Sequence, residues 1–200
     1  MSDTKGSEAG PAGAAAPEVV AVEDVTPLED EWLVIVDPQA VFADPKESPW
    51  GSPMWSETVP RIVRLAAAYR GRVVVTRFVA DPGIGGSWAD YYDDWQFALV
   101  PDSDPLYAVV PELADLTDHV VTEPTFGKWG EQLRAVVGEQ PRMAVAGVAT
   151  DCCVIATVIP AGDAGASVRV VSQACAGSSL ENQEKALEVM RLFAPQVTVL

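Results

Sequence analysis

One histidine (His119) and three cysteines (Cys152, Cys153 and Cys175) are all that the 200 residues offer of the two side chains most used for metal binding. A His-rich zinc site cannot be built from that set. A Cys–His nucleophile pair would need His119 itself to fall in the site. The odd cysteine count, with no framework spacing, argues against a disulfide-stapled domain and for reduced thiols. Basic side chains are also scarce, with 13 Lys and Arg against 29 Asp and Glu and a net charge of −16. That balance argues against partnership with nucleic acid or with an anionic membrane surface. No apolar run approaches the roughly 18 residues that span a bilayer. The start, Met1-Ser2-Asp3-Thr4-Lys5, runs into Ala, Pro, Gly and Glu without an apolar signal segment, so the expected compartment is the cytoplasm.

What is present fits one domain behind a leader. Residues 1–27 are rich in Ala, Pro, Gly and Glu and are expected to be disordered. Residues 28–200 alternate strand-like and helix-like segments. Continuous apolar runs predict strands at Trp32–Val36, Arg72–Thr76, His119–Thr122, Arg142–Gly147, Ser167–Val171 and Val197–Leu200. Helical spacing predicts helices over 55–70, 129–137 and 151–161. A further helix opens at Ser178-Ser179-Leu180-Glu181, which resembles a capping box. A short helix is expected over Leu106–Leu113, and the Pro/Gly/Trp-rich stretch 78–105 reads as a long functional loop. Valine- and isoleucine-rich strands separated by helices predict a three-layer α/β/α sandwich with a six-stranded, mostly parallel, Rossmann-like sheet. Ligands bind such sheets at the carboxyl ends of the strands. Asp37 and the Cys152-Cys153 turn both fall at those ends.

Val145-Ala146-Gly147-Val148-Ala149-Thr150-Asp151-Cys152-Cys153-Val154 is the most informative segment. It reads as a buried strand, a sharp glycine turn and the first turn of a helix bearing a thiol. Unpaired amides and the positive helix end favour a thiolate there and offer donors to an oxyanion. Gly83-Ile84-Gly85-Gly86 lacks the Lys-Ser/Thr that would follow in a phosphate cradle.

These residues carry a resemblance. Val36-Asp37-Pro38-Gln39 after the first strand, Gly147-Val148-Ala149-Thr150-Asp151-Cys152-Cys153-Val154, Thr157, Ala161-Gly162-Asp163-Ala164 and Val171-Ser172-Gln173-Ala174-Cys175-Ala176 together resemble the isochorismatase-like cysteine hydrolase superfamily over residues 30–200. The resemblance implies Cys153 as nucleophile and Asp37 as general base. It implies an oxyanion site at the Val148–Ala149 turn, with donors at the Ala149 and Cys153 amides and a cis peptide between Val148 and Ala149. It implies hydrolysis of a C–N bond in a small amide or carbamoyl compound through a thioester, with no cofactor. The chain departs from the pattern at the catalytic lysine. In Glu123-Pro124-Thr125-Phe126-Gly127-Lys128-Trp129, an ungapped alignment puts Glu123 in the lysine's place and Lys128 five residues on. Three readings stay open: Lys128 substitutes for the lysine, Glu123 acts as a protonated donor, or ordinary amide hydrolysis has been lost.

Candidate substrate contacts are Gln39, Phe42, Arg77, Trp88 and Phe126, with Trp50, Trp55, Tyr91, Tyr92 and Trp95 as further pocket-wall aromatics. Nicotinamidase-like relatives carry an Asp-x-His…His metal site after the second strand. Phe78-Val79-Ala80-Asp81 has no histidine there, so no metal is expected. The alternatives are an isochorismatase-type vinyl ether hydrolase, which needs no cysteine, and a diverged member acting as a binding partner. A small-molecule substrate and a homo-oligomer are expected.

Overall fold

The computed structural model describes residues 19–117 and 119–200. Strands β1 (Trp32–Val36), β2 (Val73–Phe78), β3 (Val120–Glu123), β4 (Arg142–Val148), β5 (Ser167–Ala176) and β6 (Val197–Val199) form one sheet in the order β3-β2-β1-β4-β5-β6. Every pairing in it is parallel. The helices are α1 (Ala40–Ala43), α2 (Trp55–Ala68), α3 (Ser87–Asp94), α4 (Glu131–Val137), α5 (Ile155–Asp163) and α6 (Leu180–Arg191).

The continuous apolar strands are buried on both sides, as a sheet between two helical layers requires. Leu33 and Ile35 of β1 face a core with Trp55, Ile62 and Leu65 of α2. Val34 and Val36 face the opposite core, with Leu133 of α4, Val158 of α5 and Met190 of α6. The order of strands reverses at β1 and β4, which lie side by side although 105 residues and two strands separate their ends in the chain (Val36 and Arg142 being residues 36 and 142). A doubly wound sheet opens a crevice at such a switch point, at the carboxyl ends of the two strands.

The main departures from the sequence reading have physical causes. Residues 1–18 of the expected leader lie outside the described residues, but 19–27 are not leader. Val22 and Val25 are buried against the α2 side of the sheet, and the Thr26 carbonyl accepts from Arg169. Stretch 78–105 is not one loop, because it contains α3 and short 3-10 turns at Pro82–Ile84 and Gln96–Ala98. Helix α3, Ser-Trp-Ala-Asp-Tyr-Tyr-Asp-Asp, has no aliphatic stripe, and its aromatic side chains are the packing face. No helix spans Leu106–Leu113; a single 3-10 turn, Pro105–Tyr107, is followed by turns. Strand β5 runs five residues beyond the expected end at Val171, with a register shift opposite Val145/Gly147 of β4 that accommodates polar Ser172 and Gln173. The cap of α6 is Ser179, whose side chain accepts from the Asn182 amide, so no box with Glu181 forms. Among the described residues, no helix is long and apolar enough to cross a membrane.

Candidate active site

Strand β1 leads directly into Asp37, which is fully buried. Its φ of 47° lies in the left-handed region that a short polar side chain tolerates better than most. Thr76 on the neighbouring β2 holds it twice. The Thr76 hydroxyl donates to Asp37 Oδ1 at 2.6 Å and accepts from the Asp37 amide at 3.1 Å. The other carboxylate oxygen, Oδ2, stands 3.1 Å from Lys128 Nζ, and neither side chain is exposed to solvent.

Lys128 reaches this place because its loop is pressed onto α5. A Cβ at Gly127 would lie 2.7 Å from the Ala156 carbonyl oxygen, so only glycine permits the approach. The Lys128 amide donates to Thr157 Oγ1 at 2.9 Å, and that hydroxyl donates to the Cys153 carbonyl at 2.7 Å. The ammonium donates to the Thr125 carbonyl at 2.6 Å and lies 5.3 Å from the centre of the Phe78 ring. The first of the three readings of this segment therefore matches the geometry. Glu123 stays outside the cluster. Its carboxylate lies over Gly130, where a Cβ would come within 2.8 Å of Oε1, and it pairs with neither Asp37 nor Lys128. The ungapped alignment misplaced the cation because the loop after β3 carries it in from a later position.

Strand β4 leads into the thiols. Gly147 has a φ of 123°, and a Cβ there would sit 2.2 Å from the Val36 carbonyl oxygen, so β4 lies hard against the end of β1 only because residue 147 is glycine. The Val148–Ala149 peptide is cis. Val148 is buried beneath the surface of the site, whereas Ala149 lines it. The Ala149 amide donates to no acceptor among the described residues, and its carbonyl accepts from Cys152 and Val154 at 3.0 and 3.1 Å. Cys152 and Cys153 lie in a single π-helical turn, Thr150–Val154, that continues directly into α5.

The two adjacent thiols shift each other's ionisation in opposite directions. A hydrogen bond from Cys153 draws the Cys152 thiol below its ordinary range, against burial and the nearby carboxylates. The same bond pushes Cys153 well above it, reinforced by burial and by the charge of Asp37, with Lys128 acting in the opposite sense. This differs from the expectation of a preformed thiolate. The helix end and Lys128 favour ionisation of Cys153, but desolvation and a carboxylate neighbour outweigh them. The third thiol, Cys175, is buried in β5 and pushed up to about 12 by desolvation.

Cys152, Cys153 and Ala149 line a cavity of about 300 Å3. Its walls are Phe42, Trp50, Phe78, Tyr91, Trp95 and Phe126, with Asp151 and Ser178 as polar members. Phe42 and Phe126, expected as substrate contacts, line this cavity. Gln39, Arg77 and Trp88 do not, and neither do the expected wall aromatics Trp55 and Tyr92, both buried in the core. Gln39 is buried with its amide committed, donating to the Phe78 and Tyr107 carbonyls and accepting from the Phe78 amide. It fastens β2 to the 105–107 turn. Arg77 turns away to the Asp102 carboxylate and the Tyr107 carbonyl. Trp88 stands behind the wall, its ring 4.8 Å from Phe126 and 5.2 Å from Tyr91. Thr76, Asp151 and Ser178 were not singled out from sequence. The Asp151 carboxylate accepts from the Ser178 amide and hydroxyl at 2.8 and 2.6 Å, a pairing across 27 residues that no local pattern signals.

The family model described as the isochorismatase domain matches residues 31–199. No curated protein sequence matches the chain. Among solved structures, a cysteine hydrolase from Pseudomonas syringae pv. phaseolicola superposes with a TM-score of 0.72 at 21% identity, covering 93% of this chain and 94% of its own. An isochorismatase family protein from Desulfovibrio vulgaris gives a TM-score of 0.70 at 21% identity over 85% of this chain and 93% of its own. A nicotinamidase pyrazinamidase from Acinetobacter baumanii gives 0.66 at 20% identity, covering 86% and 95%. A similar structure, the pyrazinamidase of Pyrococcus horikoshii, is a zinc complex. The residues here do not fit such a metal site. Asp81 after β2 accepts from the Gly83 amide, and the sole histidine packs edge-on against Trp32, which begins β1 at the opposite end of the sheet.

Proposed function

The chain belongs to the isochorismatase family of hydrolases, and from that membership we propose that it cleaves a C–N bond of a small amide or carbamoyl compound through a thioester on Cys153. The observation that carries the reading is the solvent-free Asp37–Lys128 pair beside a cysteine that lines an open cavity. Similarity to a nicotinamidase and a pyrazinamidase supports an amide as the substrate.

Asp37 takes the Cys153 proton as sulfur attacks the carbonyl carbon, so no standing thiolate is needed. The Ala149 and Cys153 amides hold the oxygen as it gains charge. The tetrahedral adduct collapses, Asp37 returns the proton to nitrogen, and ammonia or an amine leaves. Water then attacks the thioester, Asp37 accepts its proton, and the carboxylic acid and the Cys153 thiol are released. Lys128 and Thr76 hold the carboxylate in place throughout.

Intact-mass analysis during turnover of a panel of primary amides tests this. A covalent adduct of acyl mass is expected, with ammonia released in step, and both are lost in Cys153→Ala. Ammonia release that survives Cys153→Ala would overturn the thioester route.

A further inference from the structure

The amide-hydrolase reading leaves the rest of the substrate undefined, and the cavity wall speaks to it. Six aromatic rings, Phe42, Trp50, Phe78, Tyr91, Trp95 and Phe126, enclose the space, and among the residues lining it Asp151 carries the only charge. Trp50 is the hub of the ring cluster, with centroids 5.7 Å from Phe78, 5.8 Å from Trp95 and 5.9 Å from Tyr91. The cations in the neighbourhood are committed elsewhere, including Lys185, which shares a second cavity with Asp151 and pairs with Glu181 at 2.5 Å. Lys128 is neutralised by Asp37 below the Phe78 ring, and Arg77 is paired with Asp102 outside the lining. The Asp37–Lys128 pair contributes no net charge to the floor, so within the lining the negative charge of Asp151 meets no cation. The chain as a whole, at −16, adds to the same sign. Asp151 is fixed by its two bonds from Ser178, and an ionised carboxylate with two oxygens still has acceptor sites to spare.

A substrate with a second carboxylate would meet no lining cation here and would face Asp151. An alkylated ammonium suits the wall, because the negative faces of aromatic rings attract a cation that carries its own apolar shell. We propose that the non-reacting end of the substrate is a cation, an alkylammonium group seated among the rings and drawn by Asp151. The proposal rests on the amide-hydrolase reading for the reacting end alone.

The test uses three small amides: trimethylammonioacetamide, its neutral isostere 3,3-dimethylbutanamide, and the anionic succinamate of similar length. Binding to Cys153→Ala protein is read by calorimetry and by the fluorescence of Trp50 and Trp95, which separates recognition from chemistry. The cation is expected to bind at least tenfold more tightly than the neutral isostere, with no binding of the anion. Asp151→Asn and Trp95→Leu are each expected to erase most of that preference while circular dichroism stays unchanged. Equal or tighter binding of the neutral amide, no measurable binding of the cation, or a preference untouched by both variants overturns the proposal. Cation binding with no thioester in the wild-type protein would instead count against the hydrolytic reading and leave this inference standing. A thioester formed from the neutral amide, with no cation preference, does the reverse.

Discussion

Lys128 Nζ and Asp37 Oδ2 are 3.1 Å apart in a place that water does not reach. Such a pair is costly to break from one side, because the survivor is left as a buried, unmatched charge. Lys128→Met is expected to cost about 3–5 kcal/mol of unfolding free energy in urea denaturation. Hydrolytic activity should fall by at least 100-fold, beyond what the lost stability alone would cause. Activity that persists in folded Lys128→Met protein would remove the lysine from the mechanism.

Glu123 provides the matching control. Its carboxylate packs over Gly130 and makes no ion pair with the buried cluster. Glu123→Gln should therefore leave kcat/KM within about twofold and stability within about 0.5 kcal/mol, as for most substitutions outside packed or paired positions. A large kinetic effect would return this residue to the candidate site.

The three thiols should react in a set order. Alkylation of native protein by iodoacetamide, mapped by peptide mass, is expected first at Cys152, whose thiol is drawn down by the Cys153 hydrogen bond and which is only partly buried. Its reaction should begin at a lower pH than that of an ordinary thiol. Cys175, buried and pushed up to about 12, should react only after unfolding. In Cys153→Ala protein the partner bond is gone, so the onset at Cys152 should move to higher pH. An onset that stays put would remove Cys153 as the cause of the lowered Cys152 value.

Away from the site, Glu31 ties three elements together. Its carboxylate accepts two bonds from Arg169 on β5, one from the Tyr69 hydroxyl at the end of α2 and one from the Leu28 amide. Burial alone would raise the Glu31 pKa, but these donors together outweigh it and hold it below the ordinary carboxylate value. A folded-state pKa below the unfolded one means the group's stabilisation is complete above the unfolded value. It is lost as pH falls through the folded one. The acid limb of the stability curve should therefore flatten in Glu31→Gln, measured by urea midpoints across that range, with a loss at neutral pH of about 3 kcal/mol.

Much of the scaffold could be read directly from residue order. Strands such as Leu33–Val36 and Val73–Val75 are uninterrupted apolar runs, and only a sheet covered on both faces buries them. Asp37 directly follows a buried strand and Cys153 lies in the turn after another, which placed both at one rim; their roles came from the family resemblance. The choice between Lys128 and Glu123 stayed open, because the position of the cation depends on how far Gly127 lets a loop approach the Ala156 carbonyl, a tertiary distance with no sequence period. Gln39 and Arg77 misled for the opposite reason. Both sit near the strand ends that frame the crevice, but backbone carbonyls and Asp102 claim their polar groups first. Helix α3 hid behind aromatic spacing that pattern reading assigns to a loop.

The contact between Gly147 and the Val36 carbonyl has a wider implication. The separation between proton acceptor and sulfur is gauged by two main chains touching, with no intervening side chain to trim or enlarge. Most of the ring-bearing enclosure comes from other parts of the chain, chiefly residues 42–50 and 91–95 and Phe126. Those rings can change without disturbing the reactive spacing, whereas Asp151, in the same turn as Cys153, cannot be moved independently of it.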